Sequence, residues 1–279
     1  MRRLTATPCI SVLFVLFVLF AVAACTSVTA EPDAGGISAD TQGIVEDTHL
    51  DSSTEDTALP PAPTVHVQGR ALNLVAESVI EGMEVCLYES VEGPCALTDS
   101  EGRFDLPGVP AESDVILAYR RDGYFPELVM VRTALQDVVF PLTSAHATTV
   151  EAEAVPRIVG QTRDQSKGHV GFAVFRTQDV NGADEMLPGA QLSLVTGGDV
   201  SPVYLLAAGV PDAALTETTE NARAFFFNLE PGEVVVRVTH PTAGGCAVFG
   251  FGWPGPEPGT VRLKVEAGHV TAGAVICDQ

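Results

Sequence analysis

Cysteines, histidines and one acidic loop are the residues best equipped for chemistry in this 279-residue sequence. Cysteines stand at 9, 25, 86, 95, 246 and 277, and histidines at 49, 66, 146, 169, 240 and 269. There is no CxxC, no cysteine–histidine cluster and no histidine pair at metal-ligand spacing, so zinc has little support. A G-x-S-x-G elbow, a P-loop, a G-x-G-x-x-G turn after a strand and H-E-x-x-H are all missing. An active site would need folding to bring His240, His269 and an acid together, and most of the histidines read as ordinary surface residues. In the loop 179–185, Asp179, Asn181, Asp184 and Glu185 gather four oxygen-bearing side chains, the hard donors that calcium prefers. Gly182 falls at the fourth position of that loop and not at the sixth, as an EF-hand requires, so a solvated acidic turn is the plainer reading. Phe249, Phe251 and Trp253 alternate with Gly250 and Gly252. On a strand they share one face, which makes a sugar- or protein-binding platform if exposed and a core stripe if buried. The expectation is a protein without a cofactor that is not an enzyme.

The positioning elements begin with the leader. Arg2 and Arg3 precede an apolar run, Ile10–Ala24, that is too short and wrongly flanked for a spanning helix and has the layout of a secretory signal. With Cys25 directly after Val22-Ala23-Ala24, the stretch resembles a bacterial lipoprotein signal. That resemblance implies removal of residues 1–24, palmitate-type acylation of Cys25, and a membrane held through this lipid. Thr26 and Ser27, with no Asp after the cysteine, imply sorting to the outer membrane.

Residues 25–63 follow as an acidic linker. Between Glu31 and Asp56 there are eight acids and no base, and large apolar side chains are few. Such a segment cannot bury enough surface to offset its ordering entropy, so it reads as a disordered tether. The chain as a whole holds 15 Lys+Arg against 36 Asp+Glu, a net of −21. A surface of that sign repels phosphate backbones and anionic headgroups, which excludes nucleic acid as a partner and leaves the lipid to make the membrane contact.

From Val65 onward, short apolar runs alternate with turn residues. Met83, Val85 and Leu87 share one face against Glu84, Cys86 and Tyr88, the period of a half-buried strand. Further strands are expected at Val65–Leu72, Arg103–Leu106, Val115–Tyr119, Glu127–Arg132 and Val138–Leu142. Strands at this spacing imply an all-β sandwich over 64–152. Gly69-Arg70-Ala71, Gly82, Thr98-Asp99, Gly102, Phe104, Leu106 and Gly123-Tyr124 resemble carboxypeptidase regulatory-like domains. The likeness spans roughly 65–135 and implies a transthyretin- or Ig-like β-sandwich that acts as an accessory module without catalytic residues.

After a linker-like Thr143–Pro156 the theme returns over 153–279. Leu187–Leu194 parallels Gly82–Leu87, Thr218–Gly232 parallels Thr98–Pro110, and Val234–Val238 parallels Val115–Tyr119. Ala222 takes the place of Gly102, and Lys167–Gln178 reads as an insertion carrying an extra strand-like run, His169–Arg176. Two such sandwiches in tandem are therefore expected. With Cys9 lost and Cys25 acylated, four cysteines remain, and an exported protein with an even number suggests two disulfides among three possible pairings. Cys86–Cys95 and Cys246–Cys277 keep each bridge inside one sandwich. The expected function is that of a lipid-anchored envelope protein whose sandwiches bind or scaffold a protein or polysaccharide. The alternatives are an accessory or degenerate subunit of an envelope hydrolase and a calcium-dependent adhesin.

Overall fold

Alternation of apolar and polar residues dominates the chain from Val65 onward, and the computed structural model is correspondingly built of strands, with one short helix among the residues it describes. It describes residues 62–90, 93–139, 144–176 and 185–278. The signal at 1–24, Cys25 and all of the linker but Ala62 and Pro63 lie outside the described residues, as does most of the 179–185 loop. Residues 58–279 form one compact unit.

The first sandwich comprises β1 (Thr64–Asn73), β2 (Glu84–Leu87), β3 (Cys95–Leu97), β4 (Arg103–Pro110), β5 (Asp114–Arg120), β6 (Glu127–Arg132), β7 (Val138–Val139) and β8 (Ser144–His146). One of its sheets has the order β4-β1-β7, with β8 also pairing β1, and the other runs β6-β5-β2-β3. A helix, α1 (Thr149–Ile158), leads into the second half. The second half comprises β9 (Gly168–Arg176), β10 (Glu185–Met186), β11 (Gln191–Thr196), β12 (Val203–Leu205), β13 (Pro211–Asp212) and β14 (Arg223–Leu229). It continues with β15 (Gly232–Thr239), β16 (Cys246–Val248), β17 (Trp253–Pro254), β18 (Thr260–Val265) and β19 (Val270–Cys277).

The second half repeats the pairings of the first. β1 runs antiparallel to β4 and parallel to β7, as β9 runs antiparallel to β14 and parallel to β19. The order β2-β5-β6 is matched by β11-β15-β18, again antiparallel throughout. The turn chemistry repeats as well. The Thr98 hydroxyl accepts from the Met83 amide at 2.8 Å and donates to the Ile80 carbonyl at 2.5 Å. The Thr218 hydroxyl accepts from the Ala190 amide and donates to the Leu187 carbonyl, both at 2.8 Å. Gly82 and Gly189 occupy the left-handed region at the equivalent turn (φ 70° and 85°), where a side chain would be strained.

Two expectations are corrected here. His169–Arg176 belongs to no insertion: it forms β9, the counterpart of β1. The stretch read as a linker, Thr143–Pro156, holds all but the last two residues of α1, whose start is fixed by a capping box in which Thr148 and Glu151 bond each other's backbone amides. Helix α1 ends through Val159 at Gly160, which adopts φ 73°.

The two sandwiches are fused along one edge. β6 pairs in parallel with β19 through Glu127–Val270, Leu128–Thr271 and Ala272–Val129, so that a single sheet runs β13-β12-β14-β9-β19-β6-β5-β2-β3. Along β6, Val129 and Val131 join the first core while Met130 joins the second; along β9, Phe175 joins the first and Val170, Phe172 and Val174 the second. Because successive strand residues face opposite sides, the two covering sheets lie on opposite faces of the shared sheet. That placement explains why β6 reads as five consecutive buried residues: a parallel strand covered on both faces is apolar without alternation. The junction also pairs two edges that would otherwise be exposed. Asp114, paired within the first sandwich with Arg132 at 2.6 Å, also reaches across the junction to Arg262 at 3.3 Å.

Candidate functional site

The shared sheet is not covered evenly. On the face that carries the first core, the covering sheet ends at β8, and the outer side of β14-β9-β19 continues beyond it. A cavity of about 250 Å³ opens there. Its floor is made of small residues on neighbouring strands, Gly171 and Ala173 of β9 and Ala272 of β19. Phe175, Phe225 and Phe251 form aromatic walls, and Leu74 and Ala147 supply the rim from the first sandwich. A methyl group added at Gly171 would meet the Phe225 ring at 3.2 Å, so glycine keeps the floor low.

Two charged side chains stand at the ends. Glu127 of β6 is 3% exposed. It accepts a hydrogen bond from the Ser144 hydroxyl at 3.2 Å, and His146 Nδ1 lies 2.9 Å from its other oxygen. That distance is within ion-pair range, but neither ring nitrogen of His146 makes an aligned hydrogen bond. The Tyr119 ring packs against His146 at a tilt, with centroids 4.8 Å apart, and its buried hydroxyl also lacks a bonded partner. Burial, and secondarily the charge of Glu127, pushes the Tyr119 phenol well above its ordinary pKa. Ser144 donates to the carboxylate and not to the imidazole, so this buried trio is not wired as a nucleophile–base relay.

At the other end is Arg223 of β14. It pairs in register with Ala173 of β9, and its own strand lies three steps from that of Glu127 across β14-β9-β19-β6. Three inter-strand steps of about 4.8 Å set the two charges' strands roughly 14 Å apart. Among the described residues no salt bridge engages the Arg223 guanidinium. Burial lowers its pKa, and the charge of Glu77 acts the other way.

His169 lies near this face, between the Phe125 and Phe227 rings at 6.0 and 5.8 Å. Its Nδ1 accepts from the Asn228 amide at 3.1 Å, which fixes the neutral ring. Burial, then the Arg163 charge, depresses its pKa to about 4. The expectation that the histidines are mostly surface residues therefore fails for His146 and His169, at 0% and 5% exposed. His240 and His269 are not joined with an acid; they bond the Pro188 and Ala267 carbonyls respectively.

The other sequence candidates fall as follows. Cys86–Cys95 and Cys246–Cys277 are disulfides, each between directly paired residues of antiparallel strands. Among the described residues one group has metal-ligand proximity, Glu84 with Cys86 and Cys95, and the disulfide removes its thiolates. Asp179, Asn181 and Asp184 lie outside the described residues, whereas Glu185 forms an ion pair with Arg176. Phe249, Phe251 and Trp253 do not form one stripe. Gly250 and Gly252 take φ 74° and 111° and break the strand between them. Phe249 and Phe251 then pack on the first core, while Trp253 packs on the second and donates its indole N–H to the Val131 carbonyl at 3.2 Å. Arg262 covers the Trp253 ring at 5.1 Å. Glu127, Ser144, His146 and Arg223 had no local motif to betray them. Among the described residues no helix is long and apolar enough to cross a membrane.

Compared with known proteins, the sequence matches no family model and no curated protein. Among solved structures it is similar to GBS52, the minor pilin of Streptococcus agalactiae, at 12% identity and a TM-score of 0.28, covering 77% of this chain and 96% of that one. It is also similar to BcpA, the major pilin subunit of Bacillus cereus, at 10% identity and a TM-score of 0.25, covering 77% and 100%. Agreement at this level transfers no function, so the fold assignment rests on the chain's own pairings: an all-β protein of two fused Ig-like sandwiches.

Proposed function

We propose that this protein is a non-catalytic display and scaffolding module of a bacterial cell envelope, anchored through lipid on Cys25. The observation that carries the reading is the shared sheet. Two sandwiches joined through β6 and β19 hold their surfaces in one fixed relation, which suits presentation of a binding surface to a protein or polysaccharide partner. Two disulfides within the strand pairs suit an oxidising compartment outside the cytoplasm. The leader and acidic linker supply the remaining argument: an acylated cysteine followed by a solvated tether would hold the block away from the membrane, in the outer membrane by the sorting residues Thr26 and Ser27. The resemblance to carboxypeptidase regulatory-like domains points the same way, toward an accessory role.

Metabolic labelling with an alkynyl palmitate analogue tests the anchor. Label on the wild type and none on Cys25→Ala is the expected result. Equal labelling of both, or of neither, would end the claim of lipidation at this residue.

A further inference from the structure

The cavity between the sandwiches has a composition that neither core packing nor the scaffolding role requires. Its floor is lowered by Gly171, Ala173 and Ala272, and its walls are aromatic. At one end stands Arg223, half-buried beside the apolar lining and, among the described residues, in no salt bridge. A partly desolvated guanidinium at the edge of an apolar cavity is a ready bidentate partner for an anion. Glu127 at the opposite end is 3% exposed, accepts from Ser144 and has no donor to offer a carboxylate. The two ends therefore orient an amphipathic ligand: its acid group finds a donor at Arg223 and none at Glu127. Glu77, whose charge favours the charged form of Arg223, does not come within ion-pair distance of it.

We propose that this cavity binds a medium-chain alkyl carboxylate, its chain lying over Gly171, Ala173 and Ala272 and its carboxylate paired with Arg223. The size follows from volume. A cavity of about 150 Å³ accepts benzene, so the 250 Å³ here suits a chain of about eight to ten carbons on the same scale. A bidentate guanidinium–carboxylate contact would fix the acid end. The inference gives the binding part of the preceding reading a ligand, and its test does not involve Cys25, so either can fail alone.

Calorimetric titration of the purified, disulfide-bonded protein with decanoate and with 1-decanol is the experiment. Decanoate should bind at one site, at least tenfold more tightly than the alcohol. Arg223→Gln should lower decanoate affinity at least tenfold and leave 1-decanol unchanged, while Ala173→Leu should abolish binding of both. Melting temperatures of the two variants establish that they fold, and Ala272→Leu replaces Ala173→Leu if the latter does not. Equal affinities for acid and alcohol, decanoate binding insensitive to Arg223→Gln, or no decanoate binding at millimolar concentration would each overturn the proposal. Preference for an apolar tripeptide with a free carboxylate over decanoate would overturn the ligand class.

Discussion

Thr98 and Thr218 occupy the same position in two halves of one chain, each with its hydroxyl accepting from one backbone amide and donating to one carbonyl. The carbonyls of these residues also serve alike, accepting from Gly82 and Gly189 at 2.9 and 2.7 Å. Both threonines are 3% exposed. Losing either hydroxyl leaves a buried amide and a buried carbonyl unpaired, at about 1–3 kcal/mol for each stranded group. Thr98→Val and Thr218→Val should therefore each cost several kcal/mol in urea unfolding, whereas the serine variants should lose about 1 kcal/mol or less. Valine variants as stable as wild type would remove these residues from the fold's framework.

Position 222 offers the opposite change. Ala222 holds φ 50° where its counterpart Gly102 holds φ 74°. A left-handed alanine costs roughly 1 kcal/mol. Ala222→Gly should thus raise stability slightly or leave it level, despite the added flexibility of the unfolded chain. Gly102→Ala should destabilise, because its Cβ would fall 2.7 Å from the Ala71 carbonyl oxygen. A destabilising Ala222→Gly with a neutral Gly102→Ala would contradict this.

His169 sets a window of pH dependence. Its folded pKa of about 4 lies below the ordinary 6.5, so the unfolded chain binds the extra proton between these values. Stability should fall as pH drops from 6.5 to 4, by roughly 3 kcal/mol over the window. Asp114, held below the usual carboxylate range by hydrogen bonding to Arg132 and by the Arg132 and Arg262 charges, contributes stability that is lost only at lower pH. His169→Gln should flatten the upper window and spare the lower one. An unchanged profile in that variant would refute the assignment.

The bridge Cys246–Cys277 ties β16 to β19 with a sequence separation of 31. On loop-closure entropy it stabilises by roughly 4 kcal/mol. The Cys246→Ala/Cys277→Ala double variant should lower the urea midpoint accordingly. A midpoint within error of wild type would show that the bridge constrains little.

Much of this fold is legible in the residues. Thr98-Asp99-x-x-Gly102 and its echo at Thr218–Ala222 gave the repeat, and the cysteine spacing gave the bridges once two sandwiches were inferred. β9 was harder to place. With Gly171 and Ala173 in place of polar residues on its second face, it lacks the alternation that identified Met83–Leu87, and its kinship to β1 shows in hydrogen bonds more than in residues. Helix α1 carried a readable signal in Thr148 and Glu151, masked by Pro156 and by its length of 10 residues. The cavity was not legible at all. Gly171, Arg223 and Ala272 meet through the β9–β14 and β9–β19 pairings, and Glu127 and Ala147 join them only through the parallel β6–β19 pairing, contacts between distant segments with no local signature.

That pairing is the centre of the account, and differential scanning calorimetry of wild type and Thr218→Val probes it most directly. If the shared sheet couples the sandwiches, each protein should unfold in one transition, shifted as a whole by a substitution that touches only the second half. Two resolved transitions, with only one of them moved by Thr218→Val, would show that the sandwiches are independent and contradict the fused sheet.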